Sequence, residues 1–251
     1  ASAMAEKTLE QAGVKIITDH TVAAVQGQER VRGVVLDDGR EITCRMVVVA
    51  IGVSPRTELV QGTEIKVNRG IVVDHHMATS YLGVYACGDV VEAYDFIYGT
   101  HRLTPIWPNA YLGGRVAGYN MAGTEAEYPG GTALNSLNYF GLDISAAGMT
   151  VPPDDKDYEV ISVQKDSDYK RVVLKDDLIV GMVFVGDIDR AGIVFWLMKD
   201  RVNVGSFKQA LVADDFGLLS LPRELWQERL EAPPPGLVYQ SAMPVAVSYT
   251  H

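Results

Sequence analysis

Hydrophobic and polar positions alternate differently along the chain, and each change of period marks an element. Residues Ala3–Ala12 are helix formers, and Gly13 ends them before the apolar run Val14–Ile17, so a helix is expected to feed a strand. From Thr21 to Val49, short stretches rich in Val and Ile are broken by turn signals at Gln26–Gly27 and Asp38–Gly39, the pattern of a β-meander. The run Met46–Ile51, followed by Gly52 and Pro55, is continuously apolar, which predicts a core strand buried on both faces of a parallel sheet. Two further short strands are expected at Ile71–Asp74 and Val84–Cys87, the second stopping at Gly88–Asp89.

A helix follows over Thr104–Met121. Its start has two candidates: Thr104 capping with Pro105 at the first position, or Trp107 preceding Pro108 in that role. Ala110, Gly114, Ala117, Gly118 and Met121 recur at helical spacing, predicting a face almost free of side chains that approaches a sheet or ligand closely. After the polar stretch Thr124–Thr132, strands are expected at Leu134–Phe140, Ile144–Thr150, Glu159–Val163, Arg171–Leu174 and Ile179–Val185, with turns at Pro152–Asp155 and Asp176–Asp177. These form a separate antiparallel sheet, covered by a helix over Ile188–Asp200 that offers Phe195 and Trp196 for burial. A short helix around Pro222–Leu230 precedes Pro233–Pro235, which reads as a stiff spacer. The first residues look like a helix already under way, as in a piece of something larger.

Composition narrows the function classes. With 47% hydrophobic and 22% charged residues, a chain of 251 residues is long enough for one large or two modest cores. A net charge of −10 offers nucleic acid no cationic footprint. No apolar run approaches the roughly 20 residues of a membrane helix. Two cysteines, Cys44 and Cys87, and no basic-then-apolar leader suit a reducing cytoplasm.

The chemistry concentrates at Tyr85–Asp89 (YACGD). A carboxylate directly after a glycine at the end of a parallel strand sits where open α/β sheets bind ligands, and it can accept hydrogen bonds from sugar hydroxyls. The same dipeptide is also an ordinary turn. Beside it, a helix beginning near Thr104–Pro108 would present free N–H groups and a partial positive charge to an anion. Adjacent His75 and His76 on a strand point to opposite faces and share one ion poorly, so no metal site is assigned. Cys44 and Cys87 read as small buried hydrophobes, Trp107 as either ligand-stacking or core, and Tyr139 and Phe140 as core of the second sheet. The acidic groups Asp154–Asp157 and Asp176–Asp177 read as solvated turns.

These residues resemble the FAD-dependent pyridine nucleotide oxidoreductases, which include NADH oxidases, rubredoxin reductases and the flavin part of NADH-dependent nitrite reductases. The likeness is carried by Val47–Pro55 (VVVAIGVSP), Thr79–Asp89 (TSYLGVYACGD), Pro105–Gly123 (PIWPNAYLGGRVAGYNMAG) and Leu134–Gly148 (LNSLNYFGLDISAAG). It implies an α/β fold of partial FAD- and NAD(P)-binding Rossmann-like domains with a β-meander, followed by an α+β interface domain. The implied divisions are residues 1–58 for the end of the NAD(P)-binding domain, 59–125 for the second half of the FAD-binding domain, 126–205 for an interface or dimerisation domain, and 206–251 for an extension. Ile51, Gly52 and Pro55 would mark the crossing between the first two.

By the same resemblance, Gly88 and Asp89 would hold the ribityl chain of FAD, and Thr104, Pro105, Ile106 and Trp107 would face the flavin ring edge. Hydride would pass from NAD(P)H to FAD and on to an acceptor, with oxygen, a small iron–sulfur protein, a nitrite-reducing module or CoA disulfide all compatible. A homodimer through residues 130–200 is implied. Departures are equally plain: neither Gly-x-Gly-x-x-Gly phosphate loop is present, Arg56 stands where the family has Asn, and no His lies between His101 and His251 for the interface-domain role of disulfide reductases. The alternative reading is a non-catalytic folding or dimerisation fragment that cannot bind FAD without an N-terminal half.

Overall fold

The computed structural model describes residues 1–154 and 156–231; the proline spacer at 233–235 and Asp155 lie outside them. Helix α1 (Ser2–Gln11) opens the chain. The apolar run Val14–Ile17 after it is not a strand, contrary to expectation, since no strand among the described residues lies alongside to take its backbone hydrogen bonds. The meander is as expected: β1 (Val22–Gln26), β2 (Gly33–Leu36) and β3 (Glu41–Thr43) pair antiparallel in that order. Only β2 is well buried, with Val34 and Leu36 facing inward.

The expected core strand at Met46–Ile51 is overturned. The run is irregular and faces solvent, with Met46 77%, Val48 80%, Val49 73% and Ile51 92% exposed. A strand buried on both faces needs neighbours on both edges, and no strand among the described residues pairs with this one.

Next comes a small three-stranded sheet in which β4 (Ile71–Val72) runs parallel to β5 (Val91–Asp95) and β6 (Thr100–Leu103) returns antiparallel. Glu92 fixes its entry: the buried carboxylate accepts from the backbone N–H of Arg69 and Gly70 at 2.6 and 2.8 Å and from Asn68 Nδ2 at 3.2 Å. Such bonds satisfy a carboxylate that would otherwise be costly to bury. Val84–Cys87 is reduced to one bridge, Ala78 to Tyr85, and Cys87 is exposed rather than buried.

Helix α2 (Trp107–Met121) starts one residue before the later of its two candidate positions: Ile106 rather than Trp107 is the N-cap, and Pro108 follows Trp107 in the first turn. Proline there loses no hydrogen bond. The face it buries is Gly113, Val116 and Ala117, packed with Ile71, Val73, Met77 and Val91, so the close-packing face lies one step from the Gly114–Gly118 stripe read from the sequence; Gly118 and Met121 are exposed. Asn120 pins its end, donating to Ala126 O at 2.8 Å and His76 O at 3.0 Å and accepting from Ala126 N at 3.1 Å.

The rest is a five-stranded antiparallel sheet in the order β7 (Leu134–Tyr139), β8 (Leu142–Gly148), β11 (Leu178–Val185), β10 (Asp168–Lys175), β9 (Glu159–Lys165). Helix α3 (Ala191–Lys199) packs on it. Phe184, Val172, Leu174, Leu197, Met198, Leu211 and Phe216 are 0–1% exposed, and each large apolar side chain so buried stabilises the fold by about 1.5–3 kcal/mol. Tyr139 and Phe140, expected in this core, are 40% and 66% exposed because β7 is an edge strand whose loop projects outward. Asp176 and Asp177 both take left-handed backbone in the β10–β11 turn, and Asp177 accepts an ion pair from Lys208 at 2.9 Å. A short helix, α4 (Arg223–Glu231), ends the described chain.

Candidate functional site

Strand register decides which sequence-distant residues meet. β5 and β6 form a hairpin in which Glu92 pairs with Leu103. Gly88–Asp89, just before β5, and Thr104–Trp107, just after β6, are thereby brought to the same end of the small sheet. Gly88 has φ +86°, a conformation glycine adopts at no steric cost, and a Cβ there would meet nothing within 4 Å. The turn therefore presents bare backbone to open space. Asp89 is exposed, and its carboxylate has no hydrogen bond or ion pair among the described residues.

The second half of the site is the start of α2. Ile106 N–H bonds Thr104 O at 2.9 Å, shaping the approach, and no side chain caps the helix. There is no acidic residue in its first turn, so the N–H groups and positive end of the dipole stay available. Trp107 is 77% exposed and not core; it stacks on Tyr111 with ring centroids 5.8 Å apart. An open carboxylate, a side-chain-free turn and an uncapped helix end together suit a ligand carrying both hydroxyl donors and a negative edge.

Other candidates resolve into structural roles. Ile51 and Gly52 lie in the exposed irregular run, and Pro55 is half-buried; no strand pairing joins these three to Gly88–Asp89. His75 Nδ1 contacts Tyr128 O and His76 Nδ1 contacts Ala126 O, each at 3.1 Å, so the two rings have separate partners; Asp74 caps its own turn through His76 and Ala78 N–H. His20 pairs with Asp37 at 2.8 Å, and Asp38 lies 3.4 Å from its other nitrogen. Sequence reading missed that exposed cluster because the turn joining β2 to β3 assembles it across the meander.

Behind the site stand residues that the sequence reading passed over. Asp95, 2% exposed, accepts from Ile97 and Tyr98 N–H at 2.9 and 3.3 Å and from Thr132 Oγ1 at 3.3 Å. Burial pushes its carboxyl above the usual range despite those bonds. Tyr128, also 2% exposed, has its phenol pushed up to about 12, by burial first and the charge of Asp95 second. Asn109 Nδ2 donates to Thr104 O at 3.3 Å and Thr132 O at 3.4 Å, tying the start of α2 to the entry of the large sheet. A tight Asp-initiated turn at Asp95–Gly99 is legible in sequence; the burial of Tyr128 is not.

The profile described as pyridine nucleotide-disulphide oxidoreductase matches residues 1–131, and that of the rubredoxin NAD+ reductase C-terminal domain matches 134–201. The chain belongs to the pyridine nucleotide-disulphide oxidoreductase family. It is 28% identical over 205 residues to nitrite reductase [NAD(P)H] of Bacillus subtilis (strain 168), covering 81% of this chain and 25% of that one. It is 38% identical over 149 residues to an NADH oxidase of Methanocaldococcus jannaschii, covering 58% and 32%. Among solved structures it superposes on an FAD-dependent pyridine nucleotide-disulphide oxidoreductase from Desulfovibrio vulgaris with a TM-score of 0.71 and 25% identity, over 84% of this chain and 58% of that one. The chain thus spans between a quarter and about half the length of the first curated relatives it matches. Its α/β and α+β composition is that of FAD- and NAD-binding oxidoreductases with a C-terminal domain. No helix among the described residues is long and apolar enough to cross a membrane.

Proposed function

We propose that Gly88, Asp89 and Thr104–Trp107 form one wall of an FAD site in an NAD(P)H-dependent oxidoreductase. The observation that carries this reading is the unpaired, exposed Asp89 carboxylate, set on a left-handed glycine turn beside an uncapped helix N-terminus. Asp89 would accept hydrogen bonds from ribityl hydroxyls. Gly88 lets backbone approach the ligand without a side chain between them. The first turn of α2 would stabilise negative charge at the ring edge, acting through dipoles already in place. Exposed Trp107 would cover that edge and exclude water. When bound, FAD supplies the redox chemistry, accepting a hydride from reduced nicotinamide and releasing electrons to an acceptor.

In this reading residues 1–58 close an NAD(P)-binding domain, with Ile51, Gly52 and Pro55 at its crossing into an FAD-binding half at 59–125. Residues 126–205 form an interface domain that pairs with a second copy, and 206–251 extend it. The exposed Val160 and Val163 on edge strand β9 favour such pairing. A sedimentation profile of the chain at twice its monomer mass is expected; a monomer at high concentration contradicts the pairing. For the site, flavin fluorescence is followed as the chain is titrated with FAD, and NADH is then added. Quenching followed by flavin bleaching supports the reading.

A second reading has its own observation. The exposed apolar run Met46–Val53 is a surface of the kind that soluble chains cover with a partner. On this reading the chain is a folding and dimerisation module that completes a flavin site only with residues from another segment. Flavin binding that appears only when such a segment is added would favour it.

A further inference from the structure

Residues 104–107 reach the site at the end of strand β6, and β6 has little of its own to hold it in place. It is an edge strand that pairs, among the described residues, with β5 alone. Thr100, His101 and Arg102 are exposed and Leu103 is half-buried, so no buried face selects the register. Strand β5, by contrast, is held on its other side by β4 and by the bonds to Glu92. A hairpin of four residue pairs is marginal on its own. The placement of β6 therefore depends on the turn that joins the two strands.

That turn is organised by a side chain the flavin reading leaves unused. Asp95 ends β5 and pairs with Thr100 across the loop 96–99. Three of the four loop N–H groups end on this residue: Ile97 and Tyr98 donate to Oδ1 at 2.9 and 3.3 Å, and Gly99 donates to the main-chain oxygen at 2.9 Å. Oδ2 accepts from Thr132 Oγ1 at 3.3 Å, while the fourth loop amide, that of Phe96, donates to Gly131 O at 3.2 Å. Phe96 and Ile97 pack against the core of the large sheet, and Arg201 Nη1 donates to Phe96 O at 3.3 Å. Asp95 and Thr132 are 2% and 3% exposed, and a carboxylate so buried is costly unless its oxygens are engaged. The loop is thus pinned to the segment entering the large sheet at the point where it sets the pairing of β5 with β6.

We propose that Asp95 is a positioning residue of the candidate site: by fixing the β5–β6 turn against the large sheet it sets the register of the hairpin, and with it the separation of Gly88 and Asp89 from residues 104–107. A slip of one residue moves the start of α2 by about 3.3 Å relative to Asp89 and turns every β6 side chain to the opposite face. That these two stretches hold flavin rests on the reading above; that Asp95 sets their separation does not.

Cross-strand NMR contacts in the flavin-free 251-residue chain test the assignment, with Asp95→Ala and Asp95→Asn compared with the parent. Asparagine keeps an acceptor for the Ile97 and Tyr98 N–H groups and a polar partner for Thr132, and alanine keeps neither. In Asp95→Ala the contacts between residues 92 and 103 and between 93 and 102 should be lost or replaced by those of a shifted register, while those between Val172 and Met182 in the large sheet persist. Asp95→Asn should restore the parent pattern. Thr132→Val removes only the tie to Oδ2 and should weaken the same contacts in part. Unchanged hairpin contacts in Asp95→Ala, or in Thr132→Val should the alanine variant fail to fold, overturn the proposal, as does an equal loss in Asp95→Ala and Asp95→Asn. FAD titration separates this from the flavin reading. With a parent that binds FAD, Asp95→Ala should bind about tenfold more weakly, since a displaced Asp89 withdraws its acceptor, and Asp95→Asn should match the parent. Equal affinity despite a shifted register contradicts the positioning role. A parent that binds no FAD tells against the flavin reading, and the NMR contacts still decide the role of Asp95.

Discussion

The large C-terminal sheet and the N-terminal apolar run are built from similar residues and end in opposite states. In the sheet, Val172, Val173, Phe184 and Val185 are fully buried, each strand between two others or under α3 and the segments that follow it. At Met46–Val53, Val48, Val49, Ile51 and Val53 are 73–92% exposed, with no strand among the described residues beside them. Apolar composition alone therefore does not make a core; a strand is stabilised by what pairs with it and packs over it. The first region supports itself. The second lies open to solvent.

This contrast predicts unequal responses to substitution. Phe184→Ala should cost about 3–5 kcal/mol in urea unfolding, from lost burial plus the cavity left behind. A smaller loss would mean that the sheet relaxes around the hole. Next in size is Asp187→Ala, which strands Lys170, whose side chain is 5% exposed and whose Nζ pairs with Asp187 at 2.8 Å. The expected loss is about 2 kcal/mol, below that of a wholly buried pair because Asp187 is partly exposed.

The same pair has a pH signature. The hydrogen bond from Lys170, before any other cause, holds the Asp187 carboxyl below its ordinary value. Its contribution to stability is therefore complete above the pKa of the unfolded carboxyl and is lost as pH falls through the lower folded value. Acid titrations of stability should show a shallower fall for Asp187→Asn than for the parent chain; identical slopes would remove Asp187 from the account. The smallest effect is expected in the exposed run, where Val49→Ser should change stability by no more than about 0.5 kcal/mol while raising solubility.

Legibility in the sequence follows the same divide. The five strands from Leu134 to Val185 were readable because most pair with their sequence neighbours through short turns, as at Asp176–Asp177 and Phe140–Gly141. The meander was readable for the same reason. Met46–Ile51 misled because a run buried on both faces takes its meaning from partners distant in the chain, which its own residues do not encode. Val84–Cys87 failed similarly, leaving Cys87 exposed. Of the site, Gly88–Asp89 and the start of α2 stood out through glycine, carboxylate and Pro108. Their proximity came only from the Glu92–Leu103 register. Tyr128 and Asn109 gave no local signal, since the tyrosine is set apart by its burial and the asparagine by amide bonds to Thr104 O and Thr132 O, the second of them in a distant segment.

The central claim is that Asp89 and the start of α2 form a flavin-binding wall. It is tested most directly by titrating the 251-residue chain and its Asp89→Ala variant with FAD under identical conditions. Because Asp89 has no partner among the described residues, the variant should unfold at the same urea concentration as the parent. Its affinity for FAD should nonetheless fall by about tenfold to a hundredfold, the loss expected when a charged hydrogen-bond acceptor is removed. Superimposable binding curves for the two proteins would contradict the assignment.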